Sequence, residues 1–263
     1  MTETAAQYVK VSIEDRVATV TLDHPPVNAL NRQMLQELSA AFDQLAGDAS
    51  VKVIVLTAAG QLAWVAGADI SEIAAVKSPE EAQAFILLGQ QTYSKIENMR
   101  KPVIAAITGL ALGGGLELAM SCHMRIAGDR VQLGQPEINL GIIPGWGGTQ
   151  RLTRIVGPAK AAEIILTGKN ITAQEATRLN LVNKVVPGGE VLKTARDLAR
   201  VIADKSALAV AAALEAIGGG WRGDLEAGLA GELAAFQWVS KGDDWREGVS
   251  AFLEKRRPQF KDR

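Results

Sequence analysis

Cysteine is nearly absent: Cys122 stands alone in 263 residues, which excludes an internal disulfide framework and points to a reducing compartment. Histidine is almost as scarce, His24 and His123 being the only two, so no cluster with metal-ligand spacing can be assembled and no metal site is expected. Neither sign of charge is in excess. Lys and Arg number 28 against 29 Asp and Glu, a formal net charge of −1, without the footprint that RNA or DNA would require. No run of about 18 consecutive apolar residues occurs, so no membrane-spanning helix is expected. The opening Met1-Thr-Glu-Thr-Ala-Ala-Gln-Tyr8 lacks the apolar core of a secretory signal and the basic pattern of a transit peptide, and a cytoplasmic protein is expected. No Gly-Lys-Ser/Thr follows a glycine-rich loop, which excludes a Walker A phosphate cradle. Gly218-Gly-Gly-Trp-Arg-Gly223 fits G-x-G-x-x-G, but it follows a helical pattern over 209–217 where a dinucleotide fingerprint needs a strand. The triplet within it, Gly218–Gly220, reads as a helix-breaking loop.

What is present fits a soluble α/β protein, with 48% hydrophobic and 22% charged residues over a length that suits one large domain with a smaller appendage. Val9–Ile13 and Val17–Leu22 alternate around Glu14-Asp15-Arg16 as a β-hairpin would. From Asn31 onward, apolar residues at 34, 35, 38, 41, 42 and 45 trace one helix face. Val51–Thr57 and Val103–Thr108 are β-branched runs suited to parallel strands buried on both faces. Met124–Ala127 and Val131–Leu133 are shorter strands. Strands alternate with helices to about Val186. Past Gly188-Gly189 the pattern is helical, over Val191–Asp204, Ala207–Ile217, Leu225–Val239 and Trp245–Lys255.

Two carboxylates stand out because each sits in an apolar, glycine-rich setting, where a lone charge is costly unless paired or used. Glu117 follows Gly113-Gly114-Gly115 at what reads as a helix start, and Glu137 follows Gly134-Gln-Pro, 20 positions on. The triplet alone fits close packing of a buried helix start. With Glu117 beside it, backbone N–H groups open to a ligand are favoured. Ala66-Gly67-Ala68-Asp69-Ile70 could supply a second N–H donor, with Asp69 or Ser71 capping the helix that follows. Two such donors aimed at one carbonyl oxygen make an oxyanion hole. Cys122 and His123 are adjacent in sequence and so point in different directions, which makes a structural role for both the expectation. His24, before Pro25-Pro26, reads as a surface turn residue, and Trp146 as packing for its glycine loop. Phe85, Leu88 and Tyr93 could bound an apolar pocket.

Val65-Ala-Gly-Ala-Asp-Ile70, Gly109-Leu-Ala-Leu-Gly-Gly-Gly-Leu-Glu-Leu-Ala119, Gly134-Gln-Pro-Glu-Ile138 and Ile143-Pro-Gly-Trp-Gly-Gly-Thr-Gln-Arg-Leu152 together resemble the enoyl-CoA hydratases of the crotonase superfamily. The likeness takes in Asn28-Ala-Leu30, Leu166-Thr-Gly168, Arg246-Glu-Gly248 and Ala251-Phe-Leu-Glu-Lys-Arg256, nearly the whole chain in order.

The resemblance implies an α/β spiral of ββα units over 1–200 and a helical oligomerisation region over 201–263 that builds a homotrimer or a dimer of trimers. It implies a lyase that adds water, reversibly, to a short trans-2-enoyl-CoA of fatty-acid β-oxidation. No separate cofactor is implied, since coenzyme A is part of the acyl-CoA thioester substrate. By resemblance, Glu117 is the base that activates water and Glu137 the acid that protonates the α-carbon, while the N–H groups of Ala68 and Gly114 form the oxyanion hole. Ala29, Leu30, Ala66, Gly67, Asp69, Ile70 and Ser71 would contact substrate, with Phe252 and Lys255 reaching it from a neighbouring subunit. Leu62 and Ser71 stand where relatives carry phosphate-binding lysines. A hydratase for a branched substrate such as 3-methylglutaconyl-CoA is the alternative within the family. An RNA-binding relative is disfavoured, because Ser78–Arg100 mixes acidic and basic residues without a basic stripe.

Overall fold

The two alternating runs at the start pair as an antiparallel hairpin of β1 (Val9–Glu14) and β2 (Val17–Leu22), with Val9 opposite Leu22 and Glu14 opposite Val17. The computed structural model describes residues 8–60 and 62–263, with the backbone alone for Arg222. After the hairpin comes α1 (Arg32–Gly47), started by Asn31, whose side-chain oxygen accepts the Met34 N–H at 2.8 Å, a cap worth about 1 kcal/mol. Met34, Leu35, Leu38, Ala41, Phe42 and Leu45 form its buried face, as the spacing predicts.

The unit of two strands and a helix then repeats. β3 (Val53–Ala58) and β4 (Ala63–Val65) lead to a short α2 (Ile70–Ala75) and to α3 (Pro79–Glu97). β5 (Val103–Ile107) and β6 (Leu110–Leu112) lead to α4 (Gly114–Ser121). β7 (Met124–Gly128) and β8 (Gln132–Gly134) lead to a 3-10 turn (Pro136–Leu140), α5 (Gly148–Val156) and α6 (Pro158–Thr167). β9 (Ile171–Thr172), α7 (Ala173–Arg178) and β10 (Lys184–Val186) complete the sheets.

Both strands of the first hairpin lie in one sheet, and in each of the three units from β3 to β8 the first strand joins that sheet and the second joins another. The large sheet has the order β1-β2-β3-β5-β7-β10 and the small one β4-β6-β8-β9. Only the β1–β2 and β8–β9 pairs among these are antiparallel. The alternation is the spiral of ββα units expected. β3 is buried along its length because both faces are covered. Ile54 and Leu56 join the main core, whereas Val53 and Val55 meet α8 (Val191–Ala203), which presents Val191, Ala195, Ala199 and Ala203.

Three helices follow: α9 (Ala207–Arg222), α10 (Leu225–Val239) and α11 (Asp243–Leu253). The expected break at Gly218–Gly220 does not occur; α9 runs through the triplet. The close approach of the two helices is made at Gly228 of α10, where a Cβ would lie 3.1 Å from the Gly220 Cα. Along α10, Leu225, Leu229, Leu233 and Phe236 are between 55% and 77% exposed. No helix among the described residues is long and apolar enough to cross a membrane.

The tail returns to the start of the chain. Asp262 accepts the Ala207 N–H at 2.8 Å and the Lys52 Nζ at 2.8 Å through one oxygen, and Arg16 through the other. Lys52 is itself buried. Partial burial pushes the Asp262 pKa up, but the bonds from Lys52, Ala207 and Arg16 outweigh it and hold the carboxyl below its usual 3.8. The ionised form therefore stabilises the fold above that value, and the contribution fades as pH falls through the lower, folded-state pKa. Asp262→Ala strands a buried ammonium, so urea unfolding at pH 7 is expected to show a loss of about 3 kcal/mol. The loss should shrink below pH 3.8; an equal loss at acid pH would remove the ion pair as its cause.

Candidate active site

The start of α4 is built by three glycines for three different reasons. Gly113 has φ of 51° and ψ of −126°, a conformation open to glycine, and its N–H is fixed on the Gly134 carbonyl at 2.9 Å. A Cβ on Gly114 would lie 2.5 Å from the Trp146 ring and 3.5 Å from the Ala68 nitrogen, and one on Gly115 would lie 2.2 Å from the Val65 carbonyl oxygen. Side chains there would hold the helix start away from β4 and the turn after it. As the first residue of the helix, Gly114 has an N–H with no partner within the helix. Its carbonyl accepts the buried Tyr93 hydroxyl at 2.8 Å, which fixes the peptide from the other side.

Ala68 lies beside it. The short parallel bridge to Leu30 uses the Gly67 carbonyl and the Asp69 N–H, at 2.8 and 2.9 Å. The Ala68 N–H is left on the opposite side, toward the cavity that Ala68 lines. The turn after β4 and the start of α4 thus lie side by side on one cavity wall.

Glu117 is only 2% exposed. One of its oxygens, Oε1, accepts the Trp146 N–H at 2.8 Å and the Gly148 N–H at 2.6 Å. Burial, together with the nearby charge of Glu137, pushes its pKa up to about 8 against the pull of those two N–H groups and of Arg151. Glu137 sits in the 3-10 turn, where burial raises its pKa to about 7. The fully buried Gln135, with its amide nitrogen turned to Glu137, donates to both carboxylate oxygens at 3.1 and 3.2 Å.

The cavity has a volume of about 810 Å³. The two glutamates, Ala66, Gly67, Ala68, Ile70 and Gly114 all line it, and so do Phe85 and Trp146. Ala29 and Leu30 form no part of that lining; the Ala29 carbonyl bonds the His24 ring at 2.7 Å, and Leu30 is fully buried behind Ala68. Asp69 caps α2 through the Ser71 N–H at 2.8 Å, and neither residue lines the cavity. Phe252 and Lys255 project from the end of α11, outside the lining, with Phe252 83% exposed. Leu88 packs against the core rather than on the cavity. His24 is half-buried, its ring held by Ala29 and set against Tyr8, and so is more than a surface turn residue. His123 accepts the Val103 N–H at 3.0 Å, and Cys122 is buried, in line with structural roles for both.

Four contributors escape a search by residue type. The Trp146 and Gly148 donors are main-chain groups, and the Pro144-to-Gly148 loop signals only a close approach. Gln135 is visible in sequence as a polar neighbour of Glu137, without a direction. Arg151 bonds the Trp146 carbonyl at 2.9 Å and Glu97 at 2.8 Å, and so clamps the loop that holds Glu117.

Comparison with known proteins converges on one family. The family model described as Enoyl-CoA hydratase/isomerase matches residues 12–263. The chain is 43% identical over 252 residues to the short-chain-enoyl-CoA hydratase of Clostridium acetobutylicum, covering 95% of this chain and 96% of that one. It is likewise 43% identical over 248 residues to the crotonyl-CoA hydratase of Syntrophomonas wolfei, covering 94% and 95%. The crystal structure of an enoyl-CoA hydratase from Bacillus anthracis superposes with a TM-score of 0.94 at 40% identity, covering 98% of this chain and all of that one.

The positive charge of Arg151 is one of the influences that lower the Glu117 pKa, after the two main-chain donors. Removing it in Arg151→Met should move the Glu117 titration above its present value of about 8. The pH dependence of the labelled glutamate carboxyl carbon shifts in NMR reads this directly, and an unmoved midpoint would reduce the arginine to a loop clamp.

Proposed function

Because the chain belongs to the enoyl-CoA hydratase/isomerase family, we propose that it adds water reversibly across the 2,3 double bond of a short trans-2-enoyl-CoA, giving a 3-hydroxyacyl-CoA. The observation that carries this is the cavity wall itself. Two carboxyls with pKa values raised to about 8 and about 7 share it with the Ala68 and Gly114 donors. Hydration of a conjugated thioester needs that combination. Attack at C3 drives charge onto the thioester oxygen, where each fixed N–H donor lowers the barrier by about 3–4 kcal/mol.

Glu117 takes a proton from water as its oxygen bonds to C3. The C2=C3 electron pair passes into the enolate, held by the Ala68 and Gly114 N–H groups. Glu137 then delivers its proton to C2. Near neutral pH the raised values leave the two carboxyls sharing about one proton. When Glu137 carries it, Glu117 is the free base, and its two main-chain donors favour that charge. Reading the steps backward gives dehydration with the same groups.

Relatives named short-chain-enoyl-CoA and crotonyl-CoA hydratases support a short acyl group; a place in fatty-acid β-oxidation, in the cytoplasm, belongs to the same proposal. The division into a catalytic core over 1–200 and an assembly region over 201–263 is part of the same proposal. The exposed apolar row of α10 supports a homotrimer or a pair of trimers, with Phe252 and Lys255 of one subunit reaching the coenzyme on the next.

Loss of enoyl-thioester absorbance with crotonyl-CoA tests the chemistry. The Glu117→Gln and Glu137→Gln variants should each fall by a factor of about 10²–10⁴ in kcat. Near-normal turnover in either would sink the two-glutamate mechanism, and wild-type preference for 3-methylglutaconyl-CoA would move the substrate to the branched class. Light scattering should return three or six chain masses, and a monomer would overturn the assembly.

A further inference from the structure

Gly89 has no local reason to be glycine. It lies in the middle of α3, where glycine costs about 1 kcal/mol relative to alanine, and nothing in the backbone of that helix requires it. The reason lies across a gap. A Cβ on Gly89 would sit 2.3 Å from both Cδ1 and Nε1 of Trp146, while one on Gly114 would sit 2.5 Å from Cζ3 of the same ring. The indole is wedged between α3 and α4 at two positions where both helices have given up a side chain. Phe85 and Tyr93, one turn before and one turn after Gly89, set their rings edge-on against it at 5.2 and 5.7 Å between centroids. The indole Nε1 is buried without a hydrogen-bond partner, so shape and not a polar contact holds the ring.

This wedge stands at the chemistry and not at the cavity mouth. Trp146 bonds Glu117 through its own N–H, and its ring lies on Gly114, the proposed oxyanion donor. Ala82, Phe85, Ile86, Ile142 and Pro144 line the apolar cavity together with it. An acyl chain leaving the glutamates toward the gap between α3 and α4 runs against the indole, which lies on Gly114 beside them. The ring has no room to withdraw, because Gly89 is already in contact behind it and a packed interior gives only at the cost of strain.

We propose that Trp146, seated on Gly89, is the specificity-determining residue that ends the acyl pocket shortly beyond the reacting carbons and restricts the enzyme to short straight acyl groups. The proposal rests on the hydratase function above, and the experiment separates the two. Wild type, Trp146→Ala and the milder Trp146→Leu are assayed with crotonyl-CoA and trans-2-decenoyl-CoA. Wild type should favour the four-carbon substrate in kcat/KM by tenfold or more. Both variants should shift that ratio at least tenfold toward ten carbons, mainly through KM. Gly89→Ala should depress crotonyl-CoA turnover in wild type and be tolerated in the Trp146→Leu background, where the space behind the ring is free. Wild type inactive on both substrates would overturn the hydratase function. Wild type equally active on both would overturn the length stop alone, as would an unchanged ratio in Trp146→Leu or an equal effect of Gly89→Ala in both backgrounds.

Discussion

Almost everything around the site follows from keeping one carboxylate, Glu117, inside the protein with two main-chain N–H groups on a single oxygen. A buried charge needs such partners, and main-chain donors can serve only if their loop comes within hydrogen-bond distance. That requirement explains the glycines. A Cβ on Gly148 would lie 2.9 Å from the Glu117 oxygen, and one on Gly145 would lie 2.5 Å from Ile86. The loop can approach because it has no side chains there, and it stays because Arg151 ties its carbonyl to Glu97 on the end of α3.

The second glutamate is governed by a looser version of the same constraint. Glu137 is half-buried in a single 3-10 turn and meets the Gln135 amide instead of a pair of main-chain donors. The two environments differ in rigidity more than in polarity. Glu117 is fixed by two main-chain donors on one oxygen; Glu137 lines the same cavity with a side-chain amide as its partner. The charge of Glu137 adds to the cost of ionising Glu117, so the two titrations are linked.

Much of the framework was legible because it depends on side-chain periodicity. The hairpin, the α1 stripe, the buried parallel strands and the helix starting at Gly114 all follow from where apolar residues fall. That the two carboxyls would share a cavity was suggested by their setting, since Glu117 and Glu137 both stand in glycine-rich apolar segments. The rest fails for physical reasons. Main-chain donors such as those of Trp146 and Gly148 carry no residue-type signal. Gly218–Gly220 looks like a break by intrinsic propensity, yet α9 runs through it with α10 packed alongside at Gly228, and propensity is a weak guide where tertiary packing is present. Gly89 looks like a weak point in α3, and only the ring of Trp146 explains it.

The ion pair of Lys52 with Asp262 also joins parts of the molecule that are far apart along the chain. Lys52 stands buried just before β3, and its carboxylate partner lies beyond α11. The loop that the pair closes takes in the spiral and the three helices after α8, so the contact forms at little further entropic cost only once those parts are packed. The helical region and the large sheet are thereby linked in stability, since neither can leave the other without reducing the Lys52 ammonium to its bond with the Lys205 carbonyl.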